Sequence, residues 1–135
     1  MSILGSLFRP KEVKDVLYAI DHLAKSGLSE CLCFNEIQSS ARSAVLSSPE
    51  AVKDQIVIEG KSPLEVALTL IVNLCGRDLA SGHFHTYRGV LRMNGTSRKQ
   101  LFHAAQDMLV DKGFIEQADA DHGKSLLQEQ IKSTG

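Results

Sequence analysis

The chain has 135 residues, of which 43% are hydrophobic and 23% charged, and its formal net charge at pH 7 is −1. This length and composition are typical of one globular domain and exclude an intrinsically disordered chain. With five Phe, two Tyr and no Trp, the sequence also lacks the many aromatic side chains on which proteins that stack oligonucleotide bases depend.

The cysteines and the apolar segments predict a soluble, cytoplasmic protein without membrane attachment. The N-terminal segment MSILGSLFRPKE has too short an apolar stretch for a secretory signal. The longest apolar region, residues 64–75, is well below the ~20 residues of a membrane span. Cys31, Cys33 and Cys75 are an odd number without the spacing of a zinc or redox pair. We expect reduced thiols that serve as small apolar residues.

Apolar residues at intervals of three and four predict an amphipathic helix after Pro10. Gly27 is expected to end it. The stripe expected to be buried consists of Val13, Val16, Leu17, Ile20, Leu23 and Ala24.

The pattern between residues 30 and 60 is weaker. Residues 31–34, CLCF, are compatible with an extended segment or with the start of a helix, and the β-branched residues 56–58, IVI, with a short strand. Between them, Ser48 and Pro49 predict the start of a further helix, because serine is favoured at the N-cap and proline at the first helical position.

The clearest element is the segment SPLEVALTLIVNLCGRDLASG, residues 62–82. Ser62 and Glu65 have the spacing of a capping box, and Pro63 suits the first helical position. Apolar residues then surround the axis, so the helix must be covered on nearly every side. We predict a central helix over about residues 63–80 against which the others pack. Gly76 either weakens that helix locally or admits a close neighbour.

A long helix is also predicted in the C-terminal part of the chain. The pair Asn94-Gly95 predicts a turn. After it, Ser97 and Gln100 form a second capping box, which predicts the start of the helix. Gly113 is expected to end the helix in a left-handed conformation.

The last helix is predicted from about residue 117 to residue 132, where it buries Leu127 and Ile131. The hydrophobic period is thus helical along most of the chain. The sequence predicts an all-α fold in which residues 1–135 form a single domain. We expect a bundle of five or six helices around the central one.

Basic and histidine side chains concentrate between residues 77 and 103, which hold five basic groups against one acidic group, a net charge of +4. This region contains SGHFHTYRG, residues 81–89. We expect a recognition loop over residues 81–92 that binds an anion or a protein partner, because guanidinium groups bind carboxylates and phosphates through paired hydrogen bonds. The candidate residues are Arg77, His83, His85, Tyr87, Arg88 and Arg92.

The first alternative is that Arg77, Arg88 and Arg92 have a structural role. The residues that follow them are acidic, and guanidinium–carboxylate pairs would attach the last helices to the core. The acidic partners expected in that case are Asp107, Asp111 and Glu116.

A divalent metal site is the second alternative, although no cofactor is otherwise predicted. If residues 83–87 are extended, His83 and His85 project to the same side. His103, from the following helix, would be a third ligand. Imidazole nitrogens suit zinc or nickel, and such a site needs three or four ligands. This arrangement would define a metal-binding protein or a metal-dependent enzyme.

Phosphate or nucleic-acid binding is the third alternative, through Arg88, Arg92, Arg98 and Lys99. Residues 101–115, LFHAAQDMLVDKGFI, loosely resemble the recognition helix and turn of winged-helix DNA-binding domains. That family requires a β-hairpin wing next, whereas residues 116–130, EQADADHGKSLLQEQ, are polar, acidic and helical in pattern. A nearly neutral chain also lacks the basicity of a general nucleic-acid binder, so we do not expect nucleic acid as a partner.

These patterns favour a non-catalytic interaction or accessory module. No sequence motif for an activated nucleophile is present in the chain. The partner is expected to be a protein or a second copy of the chain. The expectation of a homo-oligomer depends on the central helix being apolar on more sides than a thin set of neighbouring helices would cover.

Overall fold

Six α-helices make up most of the residues that this computed structural model describes, which are 9–81 and 88–134. No strand occurs among these residues, so the predicted all-α helical bundle is confirmed. A short 3₁₀ turn, Gly27–Glu30, links the first two helices. The helices are α1 (Lys11–Leu23), α2 (Phe34–Ser47), α3 (Pro49–Val57), α4 (Pro63–Ser81), α5 (Arg88–Asp111) and α6 (Gln117–Thr134).

Helix α4 is the centre of the bundle, as its apolar sequence predicts. The other five helices all pack against it. Among its described side chains only Asn73 and Arg77 are exposed. The sequence suggested a homo-oligomer because α4 was expected to be too apolar to be covered by the helices of one chain. The helices of one chain do cover it, so that argument for a homo-oligomer does not hold. The buried residues of α4 are Val66, Ala67, Leu68, Ile71, Val72, Leu74, Cys75 and Leu79.

The start of α4 follows the predicted cap. The Ser62 hydroxyl oxygen accepts a hydrogen bond from the backbone N–H of Glu65 at 3.1 Å, which satisfies one of the N–H groups that a helix leaves free at its N-terminus. Helix α3 begins with Ser48 at the N-cap and Pro49 in the first turn, as predicted, but the Ser48 hydroxyl makes no capping hydrogen bond.

Helices α1 and α2 are held together by their apolar stripes and by one polar cluster. The α1 residues predicted to be buried are buried, apart from Ala24, which is half-buried just after the helix ends. At the edge of this contact, the Asp21 carboxylate accepts hydrogen bonds from Arg42 at 2.6 Å and from Gln38 at 3.0 Å. A carboxylate that is bound by two donors at once fixes the relative positions of the two helices.

The extended alternative for residues 31–34 and the short strand considered at residues 56–58 are both wrong. Residues 31–33 form a bend and a turn, and Phe34 already opens α2. Residues 56 and 57 lie in α3, and Ile58 keeps a right-handed helical backbone at its C-cap. Tertiary packing outweighs β-propensity here, since the contact of Val52 and Ile56 with the core requires helical spacing.

The predicted start of the long C-terminal helix is also wrong. Helix α5 begins at Arg88, so Asn94-Gly95 lies inside the helix and Ser97 is a buried helical residue, not an N-cap. Residues 88–92 of the predicted recognition loop are therefore helical. Arginine, leucine and methionine are strong helix formers, and in this segment they outweigh the local preference of Asn-Gly for a turn.

The end of α5 has the predicted left-handed glycine. Gly113 has a φ of 80°. Its N–H donates to the Val110 carbonyl at 3.0 Å, and the Phe114 N–H donates to the Leu109 carbonyl at 2.9 Å, which together define a Schellman motif. Phe114 folds back on the core beside this turn. The turn reverses the chain, so that α6 packs on α4 and α5.

Candidate functional site

The predicted recognition loop lies mostly outside the described residues. His83, His85 and Tyr87 fall in the segment that the structure does not describe, and the side chains of Arg88 and Arg92 are also outside the description. Arg77, the remaining candidate, is exposed on α4 one turn before its end. The assignment of a binding role to this loop stays a prediction.

His103 lies on a basic face of α5 that it shares with Lys99 and Asp107. Helix α6 adds Lys124, whose amino group pairs with the Asp107 carboxylate at 2.7 Å. The Lys99 amino group donates to the Gln128 side-chain oxygen at 3.1 Å. Burial lowers the pKa of His103, and the positive charges of Lys124 and Lys99 lower it further, against a smaller opposite effect of Asp107.

These surroundings bear on the predicted metal site. Two neighbouring ammonium groups repel a divalent cation at His103. Among the described residues, no group of three or more His, Cys, Asp or Glu side chains is placed to hold a metal ion. The other two predicted ligands, His83 and His85, lie outside that description, so the metal site remains a prediction.

The lowered pKa of His103 leads to a pH-dependent stability. The unfolded chain takes up a proton near the ordinary histidine pKa of ~6.5, whereas folded His103 does so only at lower pH. The stability contributed by neutral His103 is therefore fully present above ~6.5 and is lost as the pH falls toward the folded pKa. We expect His103→Gln to weaken this acid destabilisation, measured by urea unfolding at a series of pH values.

Direct titration of the His103 imidazole by NMR tests the same point. The folded pKa should lie below that of the urea-unfolded chain. A folded pKa at or above the unfolded value would contradict the prediction.

Phosphate binding was predicted through four basic residues, of which the structure describes the side chains of Arg98 and Lys99. These two side chains contact different helices. The Arg98 guanidinium lies 3.3 Å from the Glu36 carboxylate of α2, whereas Lys99 contacts α6. The two do not form one basic face. Arg98 forms an ion pair with Glu36, but it is not one of the arginines for which the structural alternative was stated, so that alternative stays a prediction.

A pocket between three helices brings together several polar residues. It has a volume of about 270 Å³ and lies where α4, α5 and α6 converge. We call it the amide pocket, because its polar lining consists mainly of side-chain amides. It is bounded by Asn73 and Arg77 of α4, Phe102 and Gln106 of α5, and Gly123 and Gln130 of α6.

Gln106 is the most unusual residue of the amide pocket. The residue is only 7% exposed, and its amide forms no hydrogen bond with the other residues that the structure describes. Within this part of the chain every fully buried side-chain nitrogen or oxygen atom has a partner, so the Gln106 amide atoms are not fully buried, and Gln106 lines the pocket. A nearly buried amide without a protein partner costs free energy unless water or a ligand binds it.

Gly123 makes room for this amide. A Cβ atom at position 123 would lie 2.8 Å from the Gln106 side-chain nitrogen, closer than two such atoms approach. Gly76 has the same relation to Phe102, whose ring carbon would lie 3.3 Å from a Cβ there. Each glycine admits one α5 side chain against a neighbouring helix, and of the two alternatives for Gly76 the close neighbour is the one observed.

The cysteines are placed as small apolar residues. None of the three forms a disulfide bond within the described part of the chain, and Cys33 and Cys75 are fully buried. Burial raises the pKa of the Cys33 thiol to about 11. A thiol that stays protonated at neutral pH is a poor nucleophile.

Comparison of the chain with models of protein families, with curated proteins and with solved structures found no match. No helix in the described residues carries an apolar stretch long enough to cross a bilayer. The assignment of a site therefore depends on geometry. Arg77 was found from charge clustering, but the amide pocket was not predicted. Its signals were a glutamine within the apolar stripe of α5 and a glycine inside α6.

Proposed function

We propose that the protein is a non-catalytic binding module and that the amide pocket is its binding site. One observation carries this proposal: Gln106 is only 7% exposed, its amide lacks a hydrogen bond to the described residues, and the residue lines a pocket of about 270 Å³. A hydrophobic residue of similar size at this position would pack without the desolvation cost of the amide. A ligand that pairs with the amide accounts for a glutamine here.

The chemistry of the lining favours binding over catalysis. Side chains that transfer protons need a pKa near the working pH, and nucleophiles are mostly hydroxyl, thiol, amine or carboxylate groups. The described lining instead offers amides, one guanidinium and hydrocarbon side chains, the last from Val72, Phe102, Leu126 and Leu127. Such a mixture of apolar walls and a few placed polar groups is typical of ligand-binding pockets.

Arg77 connects this proposal with the predicted recognition loop. It lies four residues before Ser81, the last residue of α4, a distance of ~6 Å along the helix axis. A molecule that occupies the pocket would therefore lie close to the start of the loop. A cytoplasmic location, which the sequence predicts from its short apolar stretches, is part of the proposal, whereas homo-oligomerisation is not.

Two substitutions should separate binding from stability. Gln106→Leu removes the amide, and Gly123→Ala places a methyl group where the amide lies. We expect neither to destabilise the protein, because leucine has no polar group to desolvate and alanine favours a helix by roughly 0.5–1 kcal/mol over glycine. Both should weaken ligand binding at least tenfold. The measurement is a small-molecule screen of the full chain by ¹H–¹⁵N NMR, in which binders shift the Gln106 side-chain NH₂ signals and the Gly76 and Gly123 amide signals.

Gly27→Ala is the matched control for Gly123→Ala, because a methyl group at Gly27 meets no atom within 4 Å. It should leave binding unchanged. Urea unfolding of every variant verifies that stability is retained. The proposal would be overturned if the molecules that bind shift signals elsewhere, or if their affinity is the same for Gln106→Leu as for the parent.

A further inference from the structure

We infer that residues 1–8, MSILGSLF, dock in an apolar groove between α2, α3 and α4 of the same chain. We call it the α3 groove. This inference does not depend on the binding role proposed for the amide pocket. It follows from three observations: the lining of the groove, the apolar pattern of residues 1–8, and the place at which this segment joins the bundle.

The α3 groove is large enough for one or two aliphatic side chains. Its volume is about 190 Å³, and an apolar cavity of ~150 Å³ is known to hold a molecule of benzene. Leu70 of α4 lies half-buried in the lining. Covering such a surface with another apolar group is favourable, because hydrocarbon is then removed from water. The apolar lining residues are Ala44, Val45, Ala51, Val52, Val66 and Leu70.

Residues 1–8 have the composition of a segment that is buried. Ile3, Leu4, Leu7 and Phe8 fill half of the positions, and the segment has no charged side chain. It can therefore enter an apolar groove without desolvating an ionised side chain. Segments that stay unbound in solution are instead typically poor in large apolar residues and rich in charge.

The start of α1 lies close to the α3 groove. Asp21, in the last turn of α1, pairs with Arg42 of α2, and α1 also packs against α3, which follows α2 directly. The chain therefore reverses between α1 and α2, and the start of α1 lies toward the corner at which α2 ends and α3 begins. Ser48 and Ala51 belong to this corner and also line the groove.

The segment is long enough to reach the groove from this corner. An extended chain covers ~3.3 Å per residue, so the path from Pro10 to Leu4 spans ~20 Å, about twice the ~10 Å diameter of one helix. In the proposed arrangement residues 7–8 cover the corner, and Ile3 and Leu4 enter the groove beside Leu70. A short covalent tether gives an effective concentration in the millimolar range, which favours the segment of the same chain over that of a second copy.

A double-mutant cycle in the full chain tests the docking. Leu4→Ala and Leu70→Ala are made singly and together, and the unfolding equilibrium constant of each protein is measured in urea. If the two side chains touch, either truncation removes their contact. The double variant should then be destabilised less than the product of the two single effects, by at least about threefold in the equilibrium constant.

Leu32→Ala is the matched control for Leu70→Ala. Leu32 is 81% exposed just before the start of α2, whereas the groove is formed by residues near the other end of that helix. The effects of Leu4→Ala and Leu32→Ala should multiply without coupling, because residues that share no contact act independently.

Nuclear Overhauser effects (NOEs) between the methyl groups of Leu4 and Leu70 in the unsubstituted chain provide the second measurement, which does not depend on how well the variants fold. We expect these NOEs at all protein concentrations. Effects of Leu4→Ala and Leu70→Ala that simply multiply, together with the absence of these NOEs, would overturn the inference. NOEs that appear only as the protein concentration rises would assign the groove to the segment of a second copy and would also overturn docking within one chain.

Discussion

Replacing Ile71 by alanine is expected to destabilise the protein by about 2–5 kcal/mol, the largest effect that we predict for a single substitution. Ile71 is 0% exposed in the middle of α4, which the other five helices cover. Truncating it removes buried hydrocarbon and leaves a cavity that the surrounding helices fill only in part. The measurement is the free energy of unfolding in urea, followed by the helical circular dichroism signal.

Ile58→Ala is the matched control, because the same atoms are removed from a side chain that is 75% exposed at the end of α3. Exposed substitutions of this kind usually change stability by about 0.5 kcal/mol or less. Equal effects of the two substitutions would contradict the central position of α4. Such a result would also undermine the amide pocket, which α4 helps to form.

Replacing Gly113 by alanine is expected to cost about 1–2 kcal/mol, because an L-residue with a side chain is strained in the left-handed region. Gly113 adopts a φ of 80°, and a Cβ there would meet no atom within 4 Å. The cost is therefore one of backbone conformation and not of packing. It falls on the turn that directs α6 back over α4 and α5. Urea unfolding measures the effect.

Gly27→Ala provides the comparison for this backbone effect as well. Its site is equally open, but its φ lies outside the left-handed region. Alanine at such a position commonly stabilises a protein by about 0.4–1 kcal/mol, because the unfolded chain loses conformational freedom. The two substitutions should therefore have opposite signs. A stabilising Gly113→Ala would show that the Schellman turn does not require glycine.

Local signals predicted those parts of the fold in which a helix end or a buried stripe is encoded by adjacent residues. The cap at Ser62, the glycine turn at Gly113 and the apolar surroundings of α4 are of this kind. The predictions failed where two local preferences competed. The β-branched residues 56–58 and the Asn94-Gly95 pair favour non-helical structure, but both lie in or at the end of helices, because neighbouring residues and tertiary packing outweigh preferences of well under ~1 kcal/mol.

The candidate site shows the same division. Charge clustering, which is a property of neighbouring residues, pointed to Arg77. It did not point to Gln106 or Gly123, which are 17 residues apart in the sequence and touch only because α6 folds back along α5. A glutamine in an apolar stripe and a glycine inside a helix are each unremarkable alone. The structure relates the two residues: Gly123 has no Cβ at the point where the Gln106 amide packs against α6.

The sequence by itself determined that the chain is helical, which helix is central and where several helices begin and end, because periodicity and capping act over a few residues. Only the tertiary structure decided that a single chain covers α4, that Arg98 pairs with Glu36 of α2, and that three helices line a pocket beside the Gln106 amide. These outcomes depend on which helix faces meet, and that is set by the packing of side chains far apart along the chain.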